Sequence, residues 1–276
     1  MKKIKTDIYL ESTYAGVTVG AVLLERGTVL IDAPLKPEDG RAWLAALEKQ
    51  GALPLRLLVN LDAHPDRTLG AQILEAEVVA QREAARQFQH RSAVFKALKQ
   101  ETGAEWEQLS GLSGLRWVTP RAIYSEQASL RLGESEVRLE HHPGPSAGAS
   151  WAILPKSKVV FIGDAVVAKQ PPFLALAHIP SWVEALDVLL SKDFKDYRVI
   201  SGRGAVIGPT VIRNQRRFLK DVESRLGRLA KRKAAAKEAE KLAPKLLEKY
   251  KYPKKYEGIY GQRLRHGLRQ YYERHH

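Results

Sequence analysis

Residues 57–74, LLVNLDAHPDRTLGAQIL, run from an apolar strand into a loop that carries Asp62, His64 and Asp66 within five residues, followed by Arg67. Carboxylates and an imidazole crowded at a strand end are the donors a divalent metal uses. Zinc takes nitrogen and carboxylate oxygen, and in catalytic sites keeps one position open for an activated water. Arg67 breaks the pattern, because a guanidinium has donors only, no lone pair, and does not deprotonate. The chain has no cysteine, which excludes disulfides and thiolate metal sites and leaves His, Asp and Glu as the available transition-metal ligands.

The elements that must position these residues are legible as periodicities. Residues 6–11, 16–25 and 27–34 alternate as short strands, and 37–51 places Trp43, Leu44 and Leu47 at helical spacing with a closing glycine. A strand precedes His64, a helix is expected from about Leu69, and residues 77–81 read as a strand. Residues 82–110 read as polar helix. Alternation returns over 122–142 with a turn at Gly133-Glu134, then come a strand pair at 151–155 and 158–164, an amphipathic helix at 181–192 and a last strand at 197–204. Strands recurring with intervening helices give an α/β class.

Four segments carry a resemblance. They are the His64-Pro65-Asp66 loop, PGPSAGASWAILP (143–155), VVFIGDAV (159–166) and VISGRGAVIGP (199–209). In order and strand context this series resembles the metallo-β-lactamase superfamily, whose motifs run H-x-H-x-D-H, G-H-T-x-G-S, an apolar strand ending in G-D, and G-H-G. The early segment GTVLIDAP is similar to that family's strand ending in Asp. The resemblance covers residues 5 to about 212. It implies an αβ/βα sandwich of two mixed sheets with outer helices, and a hydrolytic site on loops at one sheet edge.

Residue by residue, the resemblance puts Asp62 at the first histidine position, keeps His64 and Asp66, and puts Arg67 at the last histidine. Pro145 stands for the histidine of the second motif, Asp164 for the bridging carboxylate, and Arg203 for the final histidine. It therefore implies an eroded dinuclear centre and a catalytically inactive or weak protein, with either no cofactor or a single divalent metal, zinc first. A metal would rest on Asp62, His64, Asp66 and Asp164, with His141, His142 or His178 as an extra ligand. A guanidinium fixed about 4 Å from a divalent ion costs several kcal/mol at an effective dielectric of about 20. The rival reading makes Asp66, Arg67, Asp164 and Arg203 the pocket, with the arginines supplying the charge through buried Asp–Arg pairs. A third is a working hydrolase of an ester, lactone or phosphodiester on a non-standard metal site.

The net charge of +14 is unevenly placed: residues 213–276 hold 20 Lys and Arg against 7 Asp and Glu, leaving 25 against 24 for 1–212. That asymmetry sets a boundary between a domain at 1–212 and a basic helical extension at 213–276. Residues 210–249 read as helical, with LAKRKAAAKEAEK a solvated stretch. Cations interleaved with tyrosines suit nucleic acid or another polyanion, through Lys231, Arg232, Lys233, Lys251, Tyr252, Lys254, Lys255, Tyr256, Arg263, Arg265 and Arg269. The same residues suit a structural cap, or helices that dock a protein partner or a second copy. No apolar run spans a bilayer and no signal-peptide cleavage pattern follows the N-terminus, so a cytoplasmic protein is expected.

Overall fold

The computed structural model describes residues 1–97 and 101–276. Strands β1 (Lys2–Lys5), β2 (Ile8–Glu11), β3 (Val19–Leu24) and β4 (Gly27–Ile31) form an antiparallel meander. Helix α1 (Pro37–Glu48) then returns the chain so that β5 (Arg56–Asn60) lies parallel to β4. Helix α2 (Pro65–Thr68) and a 3-10 turn lead to β6 (Glu77–Gln81), and α3 (Arg82–Gln89) precedes β7 (Ala122–Tyr124), both strands parallel to β5. The first sheet keeps sequence order, β1 to β7. The second runs β13-β12-β11-β10-β9-β8. It is built from β8 (Gln127–Arg131), β9 (Glu136–His141), β10 (Ser150–Leu154), β11 (Val159–Phe161), β12 (Arg198–Ser201) and β13 (Ala205–Ile207), with α4 (Ile179–Leu189) carrying the one parallel crossover, from β11 to β12. After β13 come α5 (Pro209–Lys231), α6 (Lys237–Glu240), α7 (Ala243–Leu247) and α8 (Glu257–His275).

The two sheets face each other across a core of Val29, Ile31, Val59 and Val79 from one and Val137, Leu139, Leu154 and Phe161 from the other. Strand β4 is buried at every position because it has a covered face on both sides, which is why its sequence is continuously apolar. At Gly20 the approach leaves no room for a side chain, since a Cβ would lie 2.3 Å from the Phe161 ring. Trp43 and Leu47 of α1 pack on Leu30, Leu58 and Val78 on the outer face of the first sheet. On the outer face of the second, Trp151, Ile153 and Val160 meet Trp182 and Leu186 of α4, Phe218 and Val222 of α5, and Leu264, Leu268 and Tyr271 of α8. The architecture is thus the expected αβ/βα sandwich with a helical C-terminus.

The charge boundary at 212 falls in the first turn of α5, and the helices beyond it share one buried cluster with the second sheet. Among the described residues no helix is long and apolar enough to cross a membrane.

Two expected helices are corrected. Over 82–110, helix ends at Gln89, and the described residues beyond it hold a bridge between Val94 and Arg116 and a 3-10 turn at Glu105–Gln108. The cause is tertiary: Phe95, Trp106 and Leu112 bury into a small core with Leu35 and Leu69, which a straight polar helix cannot do. Residues 98–100 of that expectation lie outside the described residues. In LAKRKAAAKEAEK, α5 stops at Lys231, Lys233 takes a left-handed φ of 53°, and the chain turns into α6. Ala239 is thereby buried in the cluster beneath α8 rather than solvated.

Candidate functional site

Four strand ends deliver the site. Asp32 follows β4, Asp62 to Arg67 follow β5, Asp164 follows β11 and Arg203 follows β12, all at C-terminal ends. Asp32 holds a left-handed φ of 57° and is fully buried, and its Oδ1 accepts the Leu61 N–H at 2.9 Å, tying the ends of β4 and β5 together. His64 is the N-cap of α2: its Nδ1 accepts the Asp66 N–H at 3.2 Å. The Ser201 hydroxyl donates to the Val166 carbonyl and accepts the Arg203 N–H at 3.1 Å, which fixes the turn that presents Arg203.

These residues assemble into one buried network of three guanidiniums and five carboxylates. Arg67 Nη1 donates to Asp32 at 2.7 Å, its Nε lies 3.0 Å from Asp62, and its Nη2 sits against Asp164. The last two nitrogens are at ion-pair range but their N–H bonds point off the oxygens, so those pairs are contacts of charge more than aligned hydrogen bonds. Arg203 donates through Nε to both oxygens of Asp164 at 3.1 Å, and through Nη1 to Asp66 at 2.9 Å and Glu105 at 2.6 Å. Glu105 in turn accepts from Arg263 Nη2 at 2.8 Å. The Phe173 ring packs under both cations, 4.7 Å from the Arg203 and 4.0 Å from the Arg263 guanidinium carbon.

The electrostatics follow from burial and count. Burial raises every carboxyl here, but at Asp164 the Arg203 and Arg67 charges outweigh it and hold the group well below the usual range. Glu105 is likewise raised by burial and brought low by Arg263 and Arg203. Asp66 meets only one guanidinium, and burial with the neighbouring Glu105 pushes it up to about 8 against the pull of Arg203. Asp32 is pushed to about 7 by burial, with Arg67 opposing. Asp62 is raised by burial too. With five carboxyls and three arginines buried together, the upward shifts of Asp32, Asp62 and Asp66 bias the cluster toward retaining protons on those groups. His64 is lowered well below its ordinary value by burial and then by Arg203, so it is neutral, and with Nδ1 accepting, the proton sits on Nε2.

A metal does not fit this donor set. Asp62, Asp66 and Asp164 already face guanidiniums, the His64 Nδ1 lone pair is taken by an amide, and Pro145 and Arg203 offer no donor pair. Among the described residues no group of three or more His, Asp or Glu is arranged to hold a metal ion. The supplementary histidines lie elsewhere. His141 Nε2 is bonded to the Ala147 carbonyl at 2.7 Å, and His142 stacks on Trp151 at 3.6 Å. His178 caps α4 by accepting from Ser181.

Above the network lies a cavity of about 300 Å³, lined among others by Asp62, His64, Arg91, Trp106, Ser146, Asp164, Phe173 and Leu176. Helix α8 contributes His266, Gln270 and Arg274 to its wall. Glu105 and Arg263 were not readable as site residues. Glu105 sits in a stretch with helical composition, and Arg263 lies in the basic tail, so neither has a local signal for a partner about 100 and 60 residues from Arg203 respectively. As a polyanion contact Arg263 is corrected outright, because its side chain is buried and spent on Glu105, Gln170 and two carbonyls. Lys231, Arg232, Lys233, Lys251, Lys254, Lys255 and Arg265 are exposed. Arg269 is exposed but paired with Glu273. Tyr252 and Tyr256 pack against Tyr260, 5.3 and 5.5 Å between centroids.

Solved structures share this fold. The metallo-β-lactamase DIM-1, in a crystal exposed to ceftazidime, superposes with a TM-score of 0.62 at 17% identity over 80% of this chain and 95% of that one. A metallo-β-lactamase from Pontibacter korlensis gives 0.62 at 20% over 79% and 97%. The inverting sec-alkylsulfatase Pisa1 from Pseudomonas sp. gives 0.67 at 16%, covering 99% of this chain but 49% of that larger one. No curated protein matches the chain in sequence. The sequence model of the metallo-β-lactamase superfamily matches residues 15–204, which contain the strand ends and two of the three network arginines, Arg67 and Arg203. The chain belongs to the metallo-β-lactamase superfamily, as a member in which most metal-ligand positions are substituted.

Proposed function

We propose that this protein is a non-hydrolytic member of its superfamily, in which arginines take over the charge-balancing role of the metals and the cavity above them binds a small molecule. The observation that carries the reading is Arg203, whose single guanidinium engages Asp66, Glu105 and Asp164. Water activation of the superfamily type requires a cation with an open position, which lowers the water's pKa to about 7. A guanidinium stabilises the carboxylates and has no such position. Metal content by mass spectrometry, on protein purified without nickel or chelator and beside His64→Ala, tests it together with turnover of nitrocefin, p-nitrophenyl acetate and bis-p-nitrophenyl phosphate. Sub-stoichiometric metal and buffer-level rates are expected. One or two equivalents that disappear in His64→Ala would make the protein a hydrolase with a rebuilt centre.

A second reading, contact with a polyanion, is favoured by the exposed cations of 231–233 and 251–255. The second of these runs adjoins, at Lys251, a groove of about 850 Å³ also lined by Lys169, Arg217, Lys249 and Tyr250. Positive charge on phosphates with a ring beside it is the chemistry of single-strand binding, without sequence preference.

A further inference from the structure

The cavity over the network contains a cation, Arg91, with no carboxylate at ion-pair distance among the described residues; Asp62 acts on it only from further away. Arg91 lies just past α3, and its guanidinium packs 4.8 Å from the Phe88 ring centre and 4.2 Å from that of Trp117. Its Nη2 donates to the Ala63 carbonyl, while Nη1 is buried without a hydrogen-bond partner among the described residues. Ser146, also lining the cavity, has a buried hydroxyl with no hydrogen-bond partner among the described residues. Leaving a buried donor unmet is costly, and more so for a charged one. Two unmet donors on side chains that line one cavity therefore point to an acceptor supplied from outside the chain.

The rest of the lining narrows the class. Trp106, Phe173 and Leu176 offer apolar surface, so the acceptor is attached to a hydrophobic body. Asp164, held as a carboxylate, also borders the cavity, and its charge disfavours a dianion such as a phosphate monoester. The volume of about 300 Å³ is at the small end of ligand sites. We infer that the cavity is a binding site for a small organic monoacid, whose carboxylate is held by Arg91 and Ser146 and whose apolar part lies against Trp106 and Phe173. This rests on the cavity being a ligand site rather than a hydrolytic one.

Calorimetric titration of the full chain with acetate, benzoate, 4-phenylbutyrate and octanoate, each beside its primary amide, tests the inference. At least one of the longer acids is expected to bind with a millimolar or tighter dissociation constant, and at least about tenfold more tightly than its amide. Arg91→Gln should weaken that acid by about tenfold or more, and Ser146→Ala severalfold, with amide binding little changed. Because Arg91 also packs on two rings, Ser146→Ala carries the test if Arg91→Gln fails to fold. Acids that bind no better than amides, a panel with no binding in the millimolar range, or variants that bind like the parent would overturn the inference. Acid-selective binding together with ester turnover overturns the non-hydrolytic reading alone; loss of acid selectivity without turnover overturns this inference alone.

Discussion

At the scale of the residue, Arg203 is defined by what its removal leaves behind. Asp66, Asp164 and Glu105 are each buried or nearly so, and each draws on its guanidinium. Deleting one partner of a buried pair costs about 3–5 kcal/mol, because the remaining charge has neither water nor counter-charge. Arg203→Ala is therefore expected to lower the unfolding free energy by at least that amount in urea titrations. Arg203→Lys should restore only part of it, since an ammonium is a point charge and cannot bridge three carboxylates as a planar fork does. Wild-type stability in the alanine variant would show that the arginine is a bystander. Asp66 gives a pH signature. Its carboxyl, pushed to about 8 in the folded chain, keeps a proton that the unfolded chain releases near pH 4. The folded state thus binds more protons across that window, and this contribution to stability is full at the acid end and is lost as pH rises through about 8. Asp32, at about 7, acts in the same direction, whereas Asp164 and Glu105, held low, lose their contribution only as pH falls below the usual carboxylate range. Asp66→Asn should flatten the decline in urea midpoint between pH 5 and 8, and an unchanged slope would place the retained proton elsewhere.

At the scale of the element, the loop after β5 is held by a close backbone approach as much as by charge. Gly70 opens the 3-10 turn after α2, and a Cβ there would lie 1.8 Å from the Pro34 carbonyl oxygen. Gly70→Ala must move either the Pro34 strand end or the α2 turn that carries Asp66 and Arg67, and overpacking of this kind costs about 1–3 kcal/mol. A thermal melt indistinguishable from the parent would mean that the contact relaxes freely. Helix α8 plays the corresponding role from the other side, since Arg263 donates to the Gly103 and Pro171 carbonyls and to Glu105, and so pins the loop before Trp106. The tail that looks like an appendage by charge is therefore part of the site wall by contact.

At the scale of the molecule, the basic excess of residues 213–276 divides in two. One part is structural: Arg263 is buried, and Arg225 pairs with Asp221 and Arg269 with Glu273. The other is the exposed set at 231–233 and 251–255. If that set contacts nucleic acid, affinity for a single-stranded oligonucleotide should fall linearly on a log–log plot of affinity against salt. Lys231→Glu with Lys233→Glu should flatten the slope, and a salt-independent affinity would mean that the charge is only solubilising.

The run of strands and helices along the chain follows from the sequence's periodicity, and the two mixed sheets and the placing of Asp62, His64, Asp66, Asp164 and Arg203 at strand ends follow from the motifs that resemble the superfamily. Alternation and apolar runs encode burial locally, and the substituted motif positions are visible residue by residue. What the sequence could not decide was which reading of those residues holds spatially. The choice between ligand and ion-pair partner depends on distances across 30 to 140 residues of chain, as between Asp32 and Arg67 or Asp66 and Arg203. Glu105 and Arg263 entered the network, and His141, His142 and His178 stayed out of it, only because packing places Phe95, Trp106 and α8 where they are. Local periodicity records which face of an element is buried; it does not record what that face meets. A buried charge is given its role by the group opposite, and that group is supplied by the tertiary fold.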